Sequence, residues 1–585
     1  MSNTYNKQLL LLLLVAAVIL AAGLGLRDPW PADEPRFALI ARDMLEGGDW
    51  FLPRVGGVIY PDKPPLFFWL VAALLSITGS VRVAILLPAF VAGIAVLWLV
   101  TDLARRLWNP RVAIWTGAAL LAVMQFPLQM KGGQIDGLLC LWTTLSLYGF
   151  CRHLLLGPDW RWYTIAGFSA GIGVITKGVG FLPFLIFVPY VIALKRSWPV
   201  PRITGGSRWL YAPLAFLAAI AIWLIPLLLA TTGTAPAELV QYRDDILLRQ
   251  TVSRYADSWV HIKPAWYLFT NAIPWLWMPL SFLLPWLIPA WKRDLKLRDP
   301  NTLLLGGWIV LVLLFFSLSD GKRSVYIFPA LPALALIAGP HISRIVRGRG
   351  PRRVLFAISL TLAAALVIVG IHPHLEPIIS SKWLASAPVA EDVWMRIAAI
   401  GLAGLFIVAV TQIKRAAGGY AAVMATLWIG LSLLIFPRID ELRSGRAIID
   451  AARSQLTSGD TLGFAGWKEQ FLLQWDAPAV HFGYRRADVD AESHDAATWL
   501  SLGLNRRLLL PGGMIEPCFD RARLTDLGAA HKQDWYLADH SSVLPGCRDG
   551  EAIINSIVYY RATTPLALSA LSFRGSKYLQ VQVVQ

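Results

Sequence analysis

Residues 27–69 read RDPWPADEPRFALIARDMLEGGDWFLPRVGGVIYPDKPPLFFW. The stretch carries Asp28, Asp33, Glu34, Asp43, Glu46, Asp49 and Asp62 against Arg27, Arg36, Arg42, Arg54 and Lys63. On both sides the chain is hydrocarbon. Unpaired charge is costly in lipid, so a segment this polar between apolar runs must sit in water or line a cavity. Its carboxylates and cations are therefore the first candidates for chemistry.

Only 15% of the 585 residues are charged and 56% are hydrophobic, with a mean hydropathy of +0.55. Apolar runs recur at 8–26, 81–103, 111–129, 137–154, 162–177, 179–195, 209–231, 265–290, 302–318, 325–342, 353–371, 396–412 and 418–436. Most have the length of a transmembrane helix, which predicts an all-α polytopic membrane domain of about 13 spans. The first run is read as a retained span rather than a signal peptide. Residues 66–77 follow Pro64-Pro65 and are too short to cross, so they read as an interfacial helix.

Charge counting supports that choice. With the N-terminus cytoplasmic, Arg105, Arg106, Arg111, Lys195, Arg196, Lys292, Arg293, Arg347, Arg349, Lys414 and Arg415 all fall on the inside. Sixteen of the 20 acids in residues 1–439 then fall outside. The net charge of +16 is confined to this part, which carries +18, whereas residues 440–585 carry −2. Such a basic excess reflects topology and anionic lipid rather than nucleic acid. P-loop, GxGxxG and CxxC motifs are all missing from the sequence.

From about Asp440 the composition changes. ELRSGRAIIDAARSQL (441–456) reads as an amphipathic helix. TLGFAG, AVHFGY, RRLLLPGG, DWYLA, SIVYY and YLQVQVV read as short strands. Two domains are expected: a transmembrane domain, 1–439, and a small periplasmic α/β domain, 440–585. Cys140 and Cys151 lie in an apolar run, whereas Cys518 and Cys547 would pair if the tail faces an oxidising compartment.

Five constellations stand on the outer side. In Pro31-Ala32-Asp33-Glu34-Pro35-Arg36, Asp33 is either a helix N-cap or a base at a cavity mouth, and Arg36 is an anion ligand. In Tyr60-Pro61-Asp62-Lys63-Pro64-Pro65, prolines fix where Asp62 and Lys63 point. Lys63 there suits a phosphate, and Asp62 a metal or a sugar hydroxyl. The loop Lys131-Gly-Gly-Gln134-Ile-Asp136 brings Asp136 to a helix start, where an N-cap is the plainer reading. A fourth runs from Arg249 through Arg254 to His261 and Lys263; His261 has no second histidine at ligand spacing. In the fifth, Asp320-Gly-Lys322-Arg323-Ser-Val-Tyr326, adjacent cations at a span mouth suit a lipid phosphate.

Together the stretches ADEPRFALIARDMLEGGDWFLPRVGGVIYPDKPPLFFW, ITKGVGFL, SRYADSWVHIKPAWYLF and DGKRSVYIFPALP resemble membrane glycosyltransferases of GT-C fold, nearest the lipid A aminoarabinose transferases. Protein O-mannosyltransferases are more distant members. The resemblance runs through residues 8–345. It implies an inverting transferase that uses an undecaprenyl-phosphate sugar and a lipid A or other envelope acceptor at the periplasmic face of the inner membrane. It implies catalytic roles for Asp33, Asp136 and Lys63. Arg36, Lys63, Arg254, Lys322, Arg323 and Tyr326 would bind the donor phosphate, and Glu34, Asp62 and His261 the sugar or acceptor. Aminoarabinose enzymes carry an acidic-His pair where this chain has Gln250 and Thr251. A divalent metal, if one is used, would fall to Asp62 and His261; no other cofactor is expected. The protein is expected to be a monomer among membrane lipids. A protein O-glycosyltransferase is the alternative within the class, and a lipid-linked sugar flippase lies outside it.

Overall fold

In the computed structural model, which describes residues 2–233, 235–247, 262–371, 391–484, 486–531, 533–547, 557–561 and 579–581, the apolar runs are helices. Nine helices among the described residues are long and apolar enough to cross a membrane. Leu268–Leu276 and Ser281–Lys296 form a tenth, bent by 100°. The break contains Met278-Pro279, where proline removes a backbone donor. The remaining three expected spans differ in form. Residues 111–129 become Pro110–Ala122 followed by the short helix Gln125–Met130. Leu182–Lys195 is short, and Trp160–Lys177 has 18 residues with polar ends. Counting apolar runs alone cannot see that Val123 leaves the helical region and splits its run. Leu66–Thr78 is a 13-residue helix, as its length requires.

The segment between the first helix, Ser2–Ala21, and Leu66–Thr78 is ordered throughout. Lys131 terminates the first helix from outside, its Nζ donating to the carbonyls of Ile19, Leu20 and Ala22 at 2.8, 3.3 and 2.7 Å. Those are carbonyls that a helix end leaves unpaired. Burial holds the Lys131 amine down at about 8. Glu34–Gly47 forms the next helix, amphipathic, with Phe37 against Phe67 and Phe68 at 5.7 and 5.6 Å. Burying each such ring stabilises by about 1.5–3 kcal/mol. RVGGVI then folds as a two-residue hairpin, β1 (Arg54–Val55) with β2 (Val58–Ile59). Gly56 and Gly57 both take positive φ, as a tight hairpin demands.

The C-terminal part is a mixed seven-stranded sheet. Its strands are β3 (Thr461–Phe464), β4 (Ala479–His481), β5 (Arg506–Pro511), β6 (Thr525–Ala530), β7 (Gln533–Ala538), β8 (Ile557–Tyr560) and β9 (Leu579–Val581), in the order β6-β7-β5-β3-β4-β8-β9. β3 pairs parallel with β4 and β5; the outer pairs are antiparallel. Period-two alternation gives each face its own core. Leu508, Leu510, Tyr536 and Ala538 pack with Trp499 beside the Cys518–Cys547 disulfide. Leu509, Trp535, Leu537 and Tyr560 face the other way and join one core with Phe37, Phe67 and Phe68. The sheet is thus docked on the Glu34–Gly47 helix. The expected helix over 441–456 is two, Asp440–Ser444 and Arg446–Ser454. They part at Gly445, where φ is +74° and a Cβ would collide with the Phe471 ring.

Polar contacts fix the docking. Arg42 donates to the carbonyls of Leu472 and Leu473 and to the Tyr560 hydroxyl. Tyr560 and the Gly56 amide donate to Asp43, both at 2.7 Å, and His481 Nε2 donates to the Gly56 carbonyl at 2.8 Å. Arg561 pairs with Glu46, and Asp28 receives both Arg82 and Arg446. Burial pushes the Asp43 carboxyl up to about 6, against the pull of Arg42, and pushes His481 down to about 4. The two act in opposite directions on stability. Asp43 contributes stability below pH 3.8 that is lost as pH rises through about 6. The neutral His481 contributes stability above pH 6.5 that is lost as pH falls towards about 4. Thermal unfolding of the full chain between these limits is expected to show it. Asp43→Asn leaves a stability that rises with pH, and His481→Gln leaves one that falls.

Candidate active site

Asp33 occupies the N-cap position of Glu34–Gly47, but its side chain accepts no capping hydrogen bond. Instead its carboxylate lies 3.6 Å from Arg36 Nη1 and 3.5 Å from Arg323 Nη2, with a fifth of the side chain accessible (19%). Glu34, one residue on, is closed. Both oxygens meet Arg27, at 2.5 and 2.8 Å, and they also take the amides of Trp30 at 2.9 Å and Gly133 at 2.8 Å. A carboxylate with four donors is an anchor between the first outer loop and the Lys131–Asp136 loop. That occupancy leaves Glu34 ill-suited to the sugar or acceptor role expected of it.

Arg36 turns its Nε to Glu469 of the C-terminal domain at 2.6 Å. Burial alone would lower its pKa; Glu469 first, then Tyr484 and Tyr60, raise it above the usual guanidinium value. The guanidinium is charged, and it bridges the domain to Asp33. Tyr60 leads through Pro61 into Asp62-Lys63. Lys63 Nζ donates to the Asp62 carbonyl at 2.9 Å and is half-buried.

The 320–326 loop closes the other side. Ile262 bridges Gly321, and the Lys263 amide donates to the Asp320 carbonyl. Lys322 is 3% exposed and donates to the Lys263 carbonyl at 2.9 Å, whereas Arg323 reaches out to Asp33. Tyr326 lies one turn on in the Ser324–Ala330 helix, with Lys177 Nζ 5.1 Å from its ring centroid. Lys177 in turn pairs with Asp136 at 2.5 Å. The N-cap of Ile135–Leu156 is Gln134, so Asp136 does not cap that helix; its carboxylate sits in the first turn opposite Lys177 in the last turn of Trp160–Lys177. Each charge complements its helix dipole.

The structure therefore brings Asp33, Arg36 and Arg323 together, and joins Arg323 through one helical turn to Tyr326, Lys177 and Asp136. Arg254 and His261 lie outside the described residues, as do Gln250 and Thr251. Among the described residues Asp62 belongs to no cluster of three metal-ligating groups. One such cluster, His494 with Cys518 and Cys547, has both thiols committed to the disulfide. Two partners in the site, Lys177 and Glu469, carry little signal in the sequence. Lys177 had only its TKG context as a sign, and Glu469 had none.

Comparison with known proteins gives three results. Residues 62–228 match the family model for dolichyl-phosphate-mannose-protein mannosyltransferase. An undecaprenyl phosphate-alpha-4-amino-4-deoxy-L-arabinose arabinosyl transferase of Enterobacter sp. (strain 638) is 30% identical over 416 residues, 66% of this chain and 70% of that protein. Its counterpart in Pseudomonas savastanoi pv. phaseolicola is 32% identical over 377 residues, 61% of this chain and 66% of that protein. The chain spans slightly less than two thirds of the length of the first curated relatives it matches. Crystal structures of ArnT from Cupriavidus metallidurans share the fold. The form bound to undecaprenyl phosphate gives a TM-score of 0.72 at 20% identity over 90% of this chain and 97% of that one. The apo form gives 0.70 at 19% identity, over 92% and 99%.

Proposed function

Because the chain belongs to the undecaprenyl phosphate-alpha-4-amino-4-deoxy-L-arabinose arabinosyl transferase family, we propose that it transfers a sugar from an undecaprenyl-phosphate donor to lipid A or a related envelope acceptor. The reaction takes place at the periplasmic face of the inner membrane, with the N-terminus cytoplasmic and the C-terminal domain periplasmic. The observation that carries this reading is the cationic frame around Asp33, formed by Arg36 and Arg323 and continued through Tyr326 and Lys177.

The chemistry follows from charge. When the bond between the anomeric carbon and the phosphate oxygen breaks, its electron pair goes to the phosphate and adds a negative charge. Cations fixed in a poorly hydrated site stabilise that charge more than the donor's. Arg323 does this work in our reading, and Lys63, Arg254 and Tyr326 are the further groups assigned to the phosphate. The acceptor oxygen bonds to the anomeric carbon from the opposite face, which inverts it. A hydroxyl acceptor gives its proton to Asp33. A phosphate acceptor has none to give, and Asp33 then faces the positive charge that develops on the sugar. Lys322, turned to a carbonyl, and Glu34, closed by Arg27, act as scaffold.

The match to the protein mannosyltransferase model supports a second reading, with a serine or threonine acceptor. Mass spectrometry of lipid A, surface glycans and exported proteins, from cells with and without the active gene, separates the two. A sugar-sized mass lost from lipid A on inactivation is expected. Loss confined to exported peptides would establish the second reading instead.

A further inference from the structure

Three membrane helices, Arg349–Ile371, Glu391–Thr411 and Ala416–Gly430, pack together and leave an apolar cleft at the end far from Asp33. Glu391–Thr411 begins on the side of the C-terminal domain. There Asp392 meets Arg438, and Asp440, two residues on, accepts the Trp30 indole. The 21 residues of this helix rise about 30 Å, so the turn that follows Thr411 lies across the bilayer from the candidate active site. Phe356, Val408, Ala409, Gln412, Ile413 and Lys414 line a cleft there of about 370 Å³, the size of a small-ligand site. Leu402, Phe406 and Val410 are exposed one helical turn apart along Glu391–Thr411. That stripe turns this side of the bundle to the lipid tails.

The rim of the cleft is cationic. Lys414 lines it and is exposed, and Arg415 beside it is the exposed N-cap residue of Ala416–Gly430. Among the described residues neither has a carboxylate partner. The four acids on this side of the membrane domain are all committed. Asp102 is held by Arg105 and Arg106, Asp159 by Arg152, Asp294 by His341, and Asp299 by the Thr302 amide. The start of Ala416–Gly430 adds to the same sign: its first turn holds no acid, Arg415 gives it no side-chain cap, and Gly418 is open. Shape and charge thus suit one molecule, an anionic head on an apolar chain. We infer that the cleft seats an acyl chain of an anionic phospholipid from the leaflet opposite the reaction site, with its phosphate on Lys414 and Arg415. A zwitterionic lipid brings an amine for which this end offers no uncommitted carboxylate. Once bound, the anionic lipid ties the three helices together and stabilises the folded chain by mass action.

The test uses the full chain in nanodiscs of equal parts phosphatidylglycerol and phosphatidylcholine, with native mass spectrometry to identify the lipids it retains. Phosphatidylglycerol is expected to be retained over phosphatidylcholine by at least about tenfold, which two cations near a lipid phosphate can supply. Lys414→Gln with Arg415→Gln should erase that preference; both side chains are exposed, so the fold is kept. Lys414→Arg alone should retain it. Ala409→Trp fills the cleft while leaving both cations in place, and it too should release the lipid. Added phosphatidylglycerol should raise the unfolding temperature of the wild type in detergent and leave that of the double variant unmoved. Equal retention of the two lipids by the wild type, or an unchanged preference in the double variant, would overturn the site. A preference that survives Ala409→Trp would overturn the seating of the chain in the cleft.

Discussion

Asp33→Asn is expected to lower sugar transfer by about 10²–10⁴-fold, the range for losing a positioned acid–base or electrostatic group, while the protein folds normally. The fold has little stake in this carboxylate. It caps nothing, and its two cations stand at 3.5 and 3.6 Å, beyond direct hydrogen-bond contact. Partly exposed pairs of this kind contribute about 0–1 kcal/mol. Asparagine keeps the shape but can neither take a proton nor oppose positive charge at the anomeric carbon. Glu34→Gln should behave in the opposite way. It weakens the buried pair with Arg27, at a cost of about 3–5 kcal/mol if the pair is fully lost, and so shows first as lowered thermal stability. Turnover and unfolding temperature measured on both variants decide the matter. An Asp33→Asn enzyme within threefold of wild type, roughly 0.65 kcal/mol in barrier, would remove Asp33 from the chemistry.

Lys177→Met is expected to destabilise by about 3–5 kcal/mol, because it strands the Asp136 carboxylate. The pair is 2.5 Å apart with side chains 14% and 11% exposed. Replacing both partners, as Asp136→Leu with Lys177→Met, removes the stranded charge and should restore most of the lost stability. The informative quantity is what happens to turnover. If Lys177 orders Tyr326 and the leaving phosphate, the double variant is folded yet still at least about 10²-fold slower. A double variant both stable and active would make the pair structural only. Far-ultraviolet circular dichroism, thermal unfolding and turnover on wild type and the two variants decide between these outcomes.

Hydropathy located the membrane helices because lipid imposes one requirement on every span, and that requirement is written locally. It also marked Leu66–Thr78 as too short. It could not show that Val123 leaves the helix, because that depends on packing around Met278-Pro279, where the Met124 amide meets the Met278 carbonyl. In the C-terminal domain, alternation revealed β3, β4, β5, β7, β8 and β9. β6 reads Thr-Asp-Leu-Gly-Ala-Ala, without β-branched or aromatic enrichment, and is held by its neighbour β7. The site was legible as residues but not as partners. Asp33, Asp136 and Arg323 stood out because charge beside an apolar run is expensive, and Tyr326 because it follows Lys322-Arg323 by one turn. Their mates did not: Lys177 is 41 positions from Asp136, and Glu469 is 433 from Arg36. Nor could spacing separate Asp33 from Glu34. Only the fold shows that Glu34 is spent on Arg27.

The most direct test of the central claim is reconstitution of the purified full chain in proteoliposomes with an undecaprenyl-phosphate-linked aminoarabinose donor and lipid A. Mass spectrometry would follow both lipids, and nuclear magnetic resonance would read the anomeric configuration of the product. The account predicts that undecaprenyl phosphate is released in step with sugar-bearing lipid A, with inversion at the anomeric carbon. Intact donor that only changes leaflet, with no sugar gained by lipid A, would contradict it and identify a flippase.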